Sequence, residues 1–410
     1  MPAELRRLLA WLLPAALAAG AAARPLTLGL VVPPSEWDAT SLLRGVQLAV
    51  AEANEADGGP VGLEVRSEEG QWGTAGNDAV MLVCNRRVDA MLTPSDGAAS
   101  HLILQVAGRT RVPVASVCPD SSVTDAGVIW AVCVVPRTDQ AAEALLTAAR
   151  QPDRAPLHWW AVVPAGRPGR VVRRDLETAA RLTATPLDRI VDGDDPKTDA
   201  AAVARLIVEA APEGVLLWLP PARAGAMAAA LRNVGYAGCL AGPSPLDSPA
   251  FVAAAGAAAA GVLVTGFRAD TDLQKRAEPF ETQFRRKYDA QPDFSAAAAY
   301  EAARVLIEIL RRAEAGAGYR QFPLTVPVAG VTGVLHFDSS GNRTDPLQVL
   351  TCRDGRFIPI FPNVRSVFLK KNISTARTGF TKNTGGKQSF LPGSYPSFAR
   401  LRPLWRASGR

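Results

Sequence analysis

The sequence predicts an α/β protein made of two doubly wound parallel-sheet units. Three observations predict it. Short apolar runs alternate with segments of helical period up to Val117, and the same rhythm restarts at Trp159. The 410 residues are 48% hydrophobic and 20% charged, an ordinary globular balance that excludes a disordered or collagen-like chain.

In the first unit, residues 26–32 (LTLGLVV) form a short apolar run stopped by Pro33-Pro34, the mark of a buried strand. Residues 41–54 put Leu42, Val46, Ala49, Val50 and Ala53 on one helical face. After the break at Gly58-Gly59-Pro60, residues 63–66 alternate as a strand. Residues 75–87 have helical period, 90–92 a strand, 101–108 a helix and 112–117 a strand. Alternation of this kind implies a parallel sheet with helices on both faces. In the second unit, strands are expected at 159–163, 214–219 and 261–265, and helices at 171–182, 200–210 and 222–234. Two further helices span 278–288 and 295–315. Residues 334–337 and 347–352 are expected to close a hairpin around the turn 338–345, DSSGNRTD.

Residues 1–23 resemble a secretory signal: Arg6 and Arg7, the apolar run 8–19 interrupted by Pro14, then Ala21-Ala22-Ala23. The run is short for a membrane span, and the first cysteine, Cys84, lies far beyond it, which excludes a lipid anchor there. The expected location is periplasmic or secreted, soluble after cleavage. Five cysteines in an oxidising compartment leave at least one without an intramolecular partner. Cys118 and Cys133 are candidates for a bridge, with buried free thiols the alternative.

The net charge of +6 belongs to one end of the chain. No Asp or Glu follows Asp354, and residues 363–410 carry ten Lys or Arg; without these, 35 basic residues face 39 acidic ones. A nucleic-acid partner loses its support. The tail mixes its cations with Phe368, Phe380, Phe390, Tyr395, Phe398 and Trp405, so it reads either as a disordered extension or as a segment that touches an anionic surface. The three histidines are far apart and no Cys-x-x-Cys occurs, which argues against a metal site. No nucleophile elbow, P-loop or His-Glu-x-x-His helix is present. Gly166 to Arg170 reads as a surface turn, and Asp192-Gly193-Asp194-Asp195 lacks the glycine and final glutamate of a calcium loop.

Five stretches in order carry a family resemblance. They are Arg44-Gly45-Val46-Gln47-Leu48-Ala49-Val50 through Asn54 and Gly58-Gly59; Val112-Pro113-Val114-Ala115-Ser116; Ala260-Gly261-Val262-Leu263-Val264-Thr265; Phe284 to Tyr288 with Pro292 and Tyr300-Glu301-Ala302; and Gly330-Val331-Thr332-Gly333 with Phe337-Asp338 and Gly341-Asn342. Over about residues 26–360 the chain resembles periplasmic solute-binding proteins of the leucine/isoleucine/valine-binding type, which feed ABC importers. The resemblance implies the type I periplasmic binding protein fold: two doubly wound parallel-sheet lobes joined by hinge strands, closing on a ligand. The expected division is 24–139 with 268–328 for lobe 1, 140–267 with 329–362 for lobe 2, and the tail 363–410.

In open α/β sheets, ligands sit beyond the carboxyl ends of strands. Two such loops are 93–97 and 116–120. In the resembled family they offer hydroxyls and N–H groups to a ligand carboxylate, a role that Ser95, Gly97 and Ser116 fit, with Cys118 in the second loop. Asp96 and Asp120 stand where small hydroxyl residues are expected; they are either ligand contacts or N-caps of the following helices. The family pattern also sets Pro220 at an aromatic contact and Ser244 where an acidic residue holds the ligand ammonium. Trp37 and Trp218 are candidate apolar walls, with core packing the alternative. Either Asp96, Asp120 or Asp247 holds the ammonium, or the guest is not an ordinary α-amino acid. The expected function is capture of a small polar ligand (an amino acid, amide or related compound) and its delivery to an importer permease, with no catalysis, metal or cofactor. The alternative is a ligand-sensing or scaffold protein of the same fold without a transporter.

Overall fold

The structure, a computed structural model, describes residues 25–33, 37–56, 59–67, 74–150, 157–193, 199–267, 272–314 and 327–360. The expected export segment (1–23), the basic tail (363–410), Gly58 and most of the acidic turn after Gly193 lie outside these residues.

Strand β1 (Leu26–Val31) lies inside the first sheet, and nearly all its side chains are buried. It pairs in parallel with β2 (Val61–Arg66) and β3 (Ala90–Thr93), and β4 (Val114–Ser116) and β5 (Ala131–Cys133) extend the sheet. The order is β2-β1-β3-β4-β5. Helix α1 (Ala39–Glu55) buries Leu42, Val46 and Ala49, the stripe its 3.6-residue period defines. Helix α2 (Thr74–Val80) opens into a π turn over Met81–Asn85, so the single helix expected at 75–87 widens at its end. Helix α3 (Gly97–Thr110) buries Ile103, Leu104 and Ala107.

Beyond β5 the chain enters a second layered unit. Helix α4 (Thr138–Ala149) is followed by β6 (Trp159–Val163), α5 (Gly166–Leu182), β7 (Leu187–Asp192), α6 (Ala200–Ala210), β8 (Gly214–Leu217), α7 (Pro221–Asn233), β9 (Cys239–Gly242), α8 (Pro249–Ala255) and β10 (Leu263–Phe267). The chain then returns to the first core with α9 (Leu273–Tyr288) and α10 (Phe294–Glu314), whose Phe280, Phe284, Tyr300 and Leu306 join β1 and α1. A two-stranded ribbon, β11 (Val328–Ala329) and β12 (Val334–Leu335), precedes a third passage into β13 (Leu347–Arg353) and β14 (Arg356–Pro359). The second sheet runs β14-β13-β10-β9-β8-β6-β7, with parallel pairing except where β13 runs antiparallel to both β10 and β14. Its parallel part repeats the strand order of the first sheet, with β6 in the place of β1 and β8 in the place of β3.

The C-terminal hairpin differs from expectation. Val334 and Leu335 pair with Ala329 and Val328, and β13 turns back on β14 through Asp354 and Gly355, both at positive φ (50° and 75°). That is the Asp-Gly geometry of a tight hairpin. The expected turn at 338–345 does form, closed by a Phe337–Arg343 bridge, but its two arms are not the strands 334–337 and 347–352 paired with each other. Cys118 and Cys133 are both free and buried; the Cys133 thiol donates to the Cys118 carbonyl at 3.3 Å.

One buried cation joins the passages between the two units. The Arg343 side chain is fully buried. Its Nη1 donates to the Val134 carbonyl (3.0 Å), Thr332 Oγ1 (2.9 Å) and Glu301 Oε2 (3.2 Å), and its Nε donates to Asp345 Oδ2 (2.6 Å). The guanidinium lies 3.3 Å from the Phe267 ring centroid. Val134 follows β5, Phe267 ends β10 and Arg343 precedes β13, so the three passages meet on one side chain. Burial pushes the Glu301 carboxyl up, and the Arg343 charge pulls it back. Arg343→Met therefore strands a buried carboxylate and is expected to lower stability by about 3–5 kcal/mol, read from the urea midpoint; adding Glu301→Gln should recover part of that loss.

Candidate functional site

The two sheets share one topological consequence. In a doubly wound sheet the crevice opens where the strand order reverses, here between β1 and β3 and between β6 and β8. The loops leaving these strands line a single cleft of about 320 Å³. The first unit contributes Trp37 and Asp38 after β1, Ser95, Asp96 and Gly97 after β3, and Val117 and Pro119 after β4. The second contributes Pro164 after β6, Trp218 and Pro220 after β8, and Pro243 and Ser244 after β9. Phe294, Ser295 and Ala298 of α10 close one side, and Val135 and Thr138 lie where the chain first passes between the units.

Of the residues singled out in the sequence, Trp37, Ser95, Asp96, Gly97, Trp218 and Ser244 come together on this wall. Trp37 is 43% exposed while Trp218 is 6% exposed. Ser116, Cys118 and Asp120 do not reach it. Ser116 points into the sheet, bonded to Thr93 (2.9 Å) and accepting from the Cys118 amide. Cys118 joins the core under α3 with Ile103, Leu104 and Ala107. Asp120 folds back on Ser122, accepting from its amide (2.9 Å) and hydroxyl (2.7 Å). The neighbouring Ser121 donates to Asp175 of α5 (3.0 Å) and accepts from Arg174 (2.8 Å), a polar contact between the two units. Asp96 is an N-cap, its carboxylate accepting from the Ala99 amide at 2.7 Å. Asp247 is exposed and off the cleft wall.

Asp38 is the residue the sequence reading missed. It precedes α1 in the N-cap position, yet its side chain caps nothing. It turns into the cleft and accepts a hydrogen bond from Ser95 Oγ (3.1 Å), so the two residues bridge the β1/β3 switch point. It is 2% exposed. No Lys, Arg or His pairs with it among the described residues, nor does any stand in the cleft wall. Burial lifts its carboxyl from the ordinary 3.8 to about 6; hydrogen bonds from Ser95 and Ser295 oppose this, and the nearby Asp293 charge adds to it.

The sequence model of the periplasmic binding protein family matches residues 25–346. The chain belongs to that family. Its fold is shared with solved structures at low identity. These include the leucine binding protein LivK of Thermotoga maritima (17% identity, 82% of this chain and 98% of that one, TM-score 0.69) and the LivJ substrate-binding protein of Streptococcus pneumoniae, solved with isoleucine (18%, 82% and 100%, 0.69). A solute-binding protein from Rhodopseudomonas palustris, solved with benzoate, is similar to the same extent (16%, 82% and 96%, 0.70). No curated protein matches the sequence. Among the described residues no helix is long and apolar enough to cross a membrane.

A raised carboxyl means that the folded chain favours the protonated form. Below its unfolded pKa near 3.8 Asp38 costs nothing; the penalty grows as pH rises and is complete above about 6. That interval corresponds to roughly 3 kcal/mol. Asp38→Asn in the ligand-free chain is expected to gain up to about that much stability at neutral pH and little at about pH 4. Thermal melts of both chains at the two pH values check it.

Proposed function

We propose that this periplasmic binding protein captures one small solute in the cleft outside the cytoplasm, shuts its two lobes on it, and delivers it to an ABC importer. The proposed lobes are 24–139 with 268–328 and 140–267 with 329–362. The observation that carries the reading is the convergence of both sheets' switch points on one cavity of about 320 Å³, within the ~300–1,000 Å³ range of small-molecule sites. Isoleucine and benzoate in the similar structures are guests of that scale. The Arg6-Arg7 and apolar 8–19 pattern supports export.

The lining suits binding rather than turnover. Of its hydroxyl residues, Ser95 and Ser244 are hydrogen-bonded to Asp38 and Thr265, and no histidine stands in the lining among the described residues. Affinity comes from enclosing an apolar body between Trp218, Pro220 and Pro243 on one side and Trp37, Val117 and Pro119 on the other, which removes both surfaces from water.

A thermal-shift panel of amino acids, amines, amides, ureas and carboxylates tests the reading. A true guest at about a hundred times its Kd adds ~2.7 kcal/mol of stability and raises the melting temperature. Trp218→Ala should weaken that guest about tenfold or more, in line with the loss of a buried aromatic wall. A melt unmoved by every compound in the panel would count against capture.

A further inference from the structure

Capture leaves the charge of the guest open, and several of the groups that could dock an anion are already used by the protein. Free amides at helix starts are the usual receptors for an anion. At α3, Asp96 occupies the Ala99 amide. Asp120 covers the same end: a Cβ on Gly97 would lie 2.7 Å from Asp120 Oδ2, so that carboxylate rests against the Gly97 backbone. Helix α5 has Pro168 in its first turn, and α7 begins with Pro220 and Pro221, residues that have no amide hydrogen. At α4 the Thr138 amide donates to the Pro119 carbonyl (2.9 Å) and the Gln140 amide to Asp139 (2.9 Å). At α10 the Ala296 amide is taken by Asp293 (2.8 Å). Two hydroxyls of the wall are committed too: Ser95 donates to Asp38 (3.1 Å) and Ser244 pairs with Thr265 (3.0 Å).

A cation finds the opposite situation. The wall holds two carboxylates and no basic side chain among the described residues. Asp38 is 2% exposed and lacks a counter-charge, an arrangement that destabilises the empty protein. Its chain neighbour Trp37 and, across the cleft, Trp218 bring aromatic surface to the same cavity, the ring type that attracts cations best.

We infer that the guest is an organic monocation, an amine or quaternary ammonium compound with an apolar body and no carboxylate, whose charged nitrogen pairs with Asp38. The inference rests on the capture reading. The guest supplies the charge that the fold withholds from Asp38, so binding relieves the strain of burying it. A carboxylate on the same guest meets the charge of Asp96 at a helix start that is already capped.

Calorimetric titration of the full chain with a matched set tests this: isoamylamine, leucine and isovalerate, which share one branched body, together with choline. At least one of the two carboxylate-free cations is expected to bind tenfold or more tightly than leucine, and isovalerate not at all. Asp38→Asn should weaken that cation tenfold or more while its ligand-free melting temperature at neutral pH is no lower than the parent's, which separates lost binding from lost folding. Leucine or isovalerate binding as tightly as the cations would overturn the inference and leave capture standing. So would a neutral panel solute binding when neither cation does, or an unchanged cation affinity in Asp38→Asn. Silence from these four and from the whole panel would overturn both readings.

Discussion

The buried Arg343 guanidinium is the constraint on which the two-unit arrangement depends. It sits on the third passage between the units, holds the carbonyl of Val134 on the first, and covers the ring of Phe267 at the start of the second. Its charge is balanced by Glu301 from α10 and by Asp345 two residues away. Desolvating a guanidinium and two carboxylates is costly, so the cluster contributes little net stability compared with an apolar plug. What it supplies is specification. A packing that separates Arg343 from Glu301 and Asp345 leaves a buried charge without its partner.

With the passages fixed, the rest follows from topology. Both units use the same parallel strand order, so each opens its crevice at its own switch point, and the two crevices face each other across the passages. The walls are then set by loop chemistry. Prolines follow β4, β5, β6, β8 and β9, giving apolar, donor-poor surfaces. Against that background stand two carboxylates, Asp96 as a helix cap and Asp38 without a counter-charge among the described residues. Asp38 weakens the fold that carries it, and a fold tolerates such a group where binding gains from it. The same side chain thus links the stability of the empty chain to the chemistry of its guest.

The sequence made the elements legible where apolar period was long. The stripe Leu42, Val46 and Ala49 and the run at β1 lie where the pattern puts them. It was silent on β5 and β9, which are three and four residues long and too short to show a period. It was also silent on β7, whose residues at the sheet edge are mostly half-buried or exposed and alternate weakly. The polar stretch at 338–345 was legible as a turn, and Phe337 bridges Arg343 across it; that β13 pairs with β14 through Asp354-Gly355 was set by strand register.

The order of apolar runs and helical segments by itself determined a doubly wound α/β chain in two units, because burial on both faces of a parallel sheet leaves that signature in one dimension. Which polar residues face the cleft was decided only in three dimensions. Asp38 and Asp96 each stand just before a helix; one turns to Ser95 and the cavity, the other caps its helix. Their difference lies in partners 57 and 3 residues away. The charge left unpaired is a property of what surrounds a side chain in space, where no Lys, Arg or His comes within reach of Asp38 among the described residues.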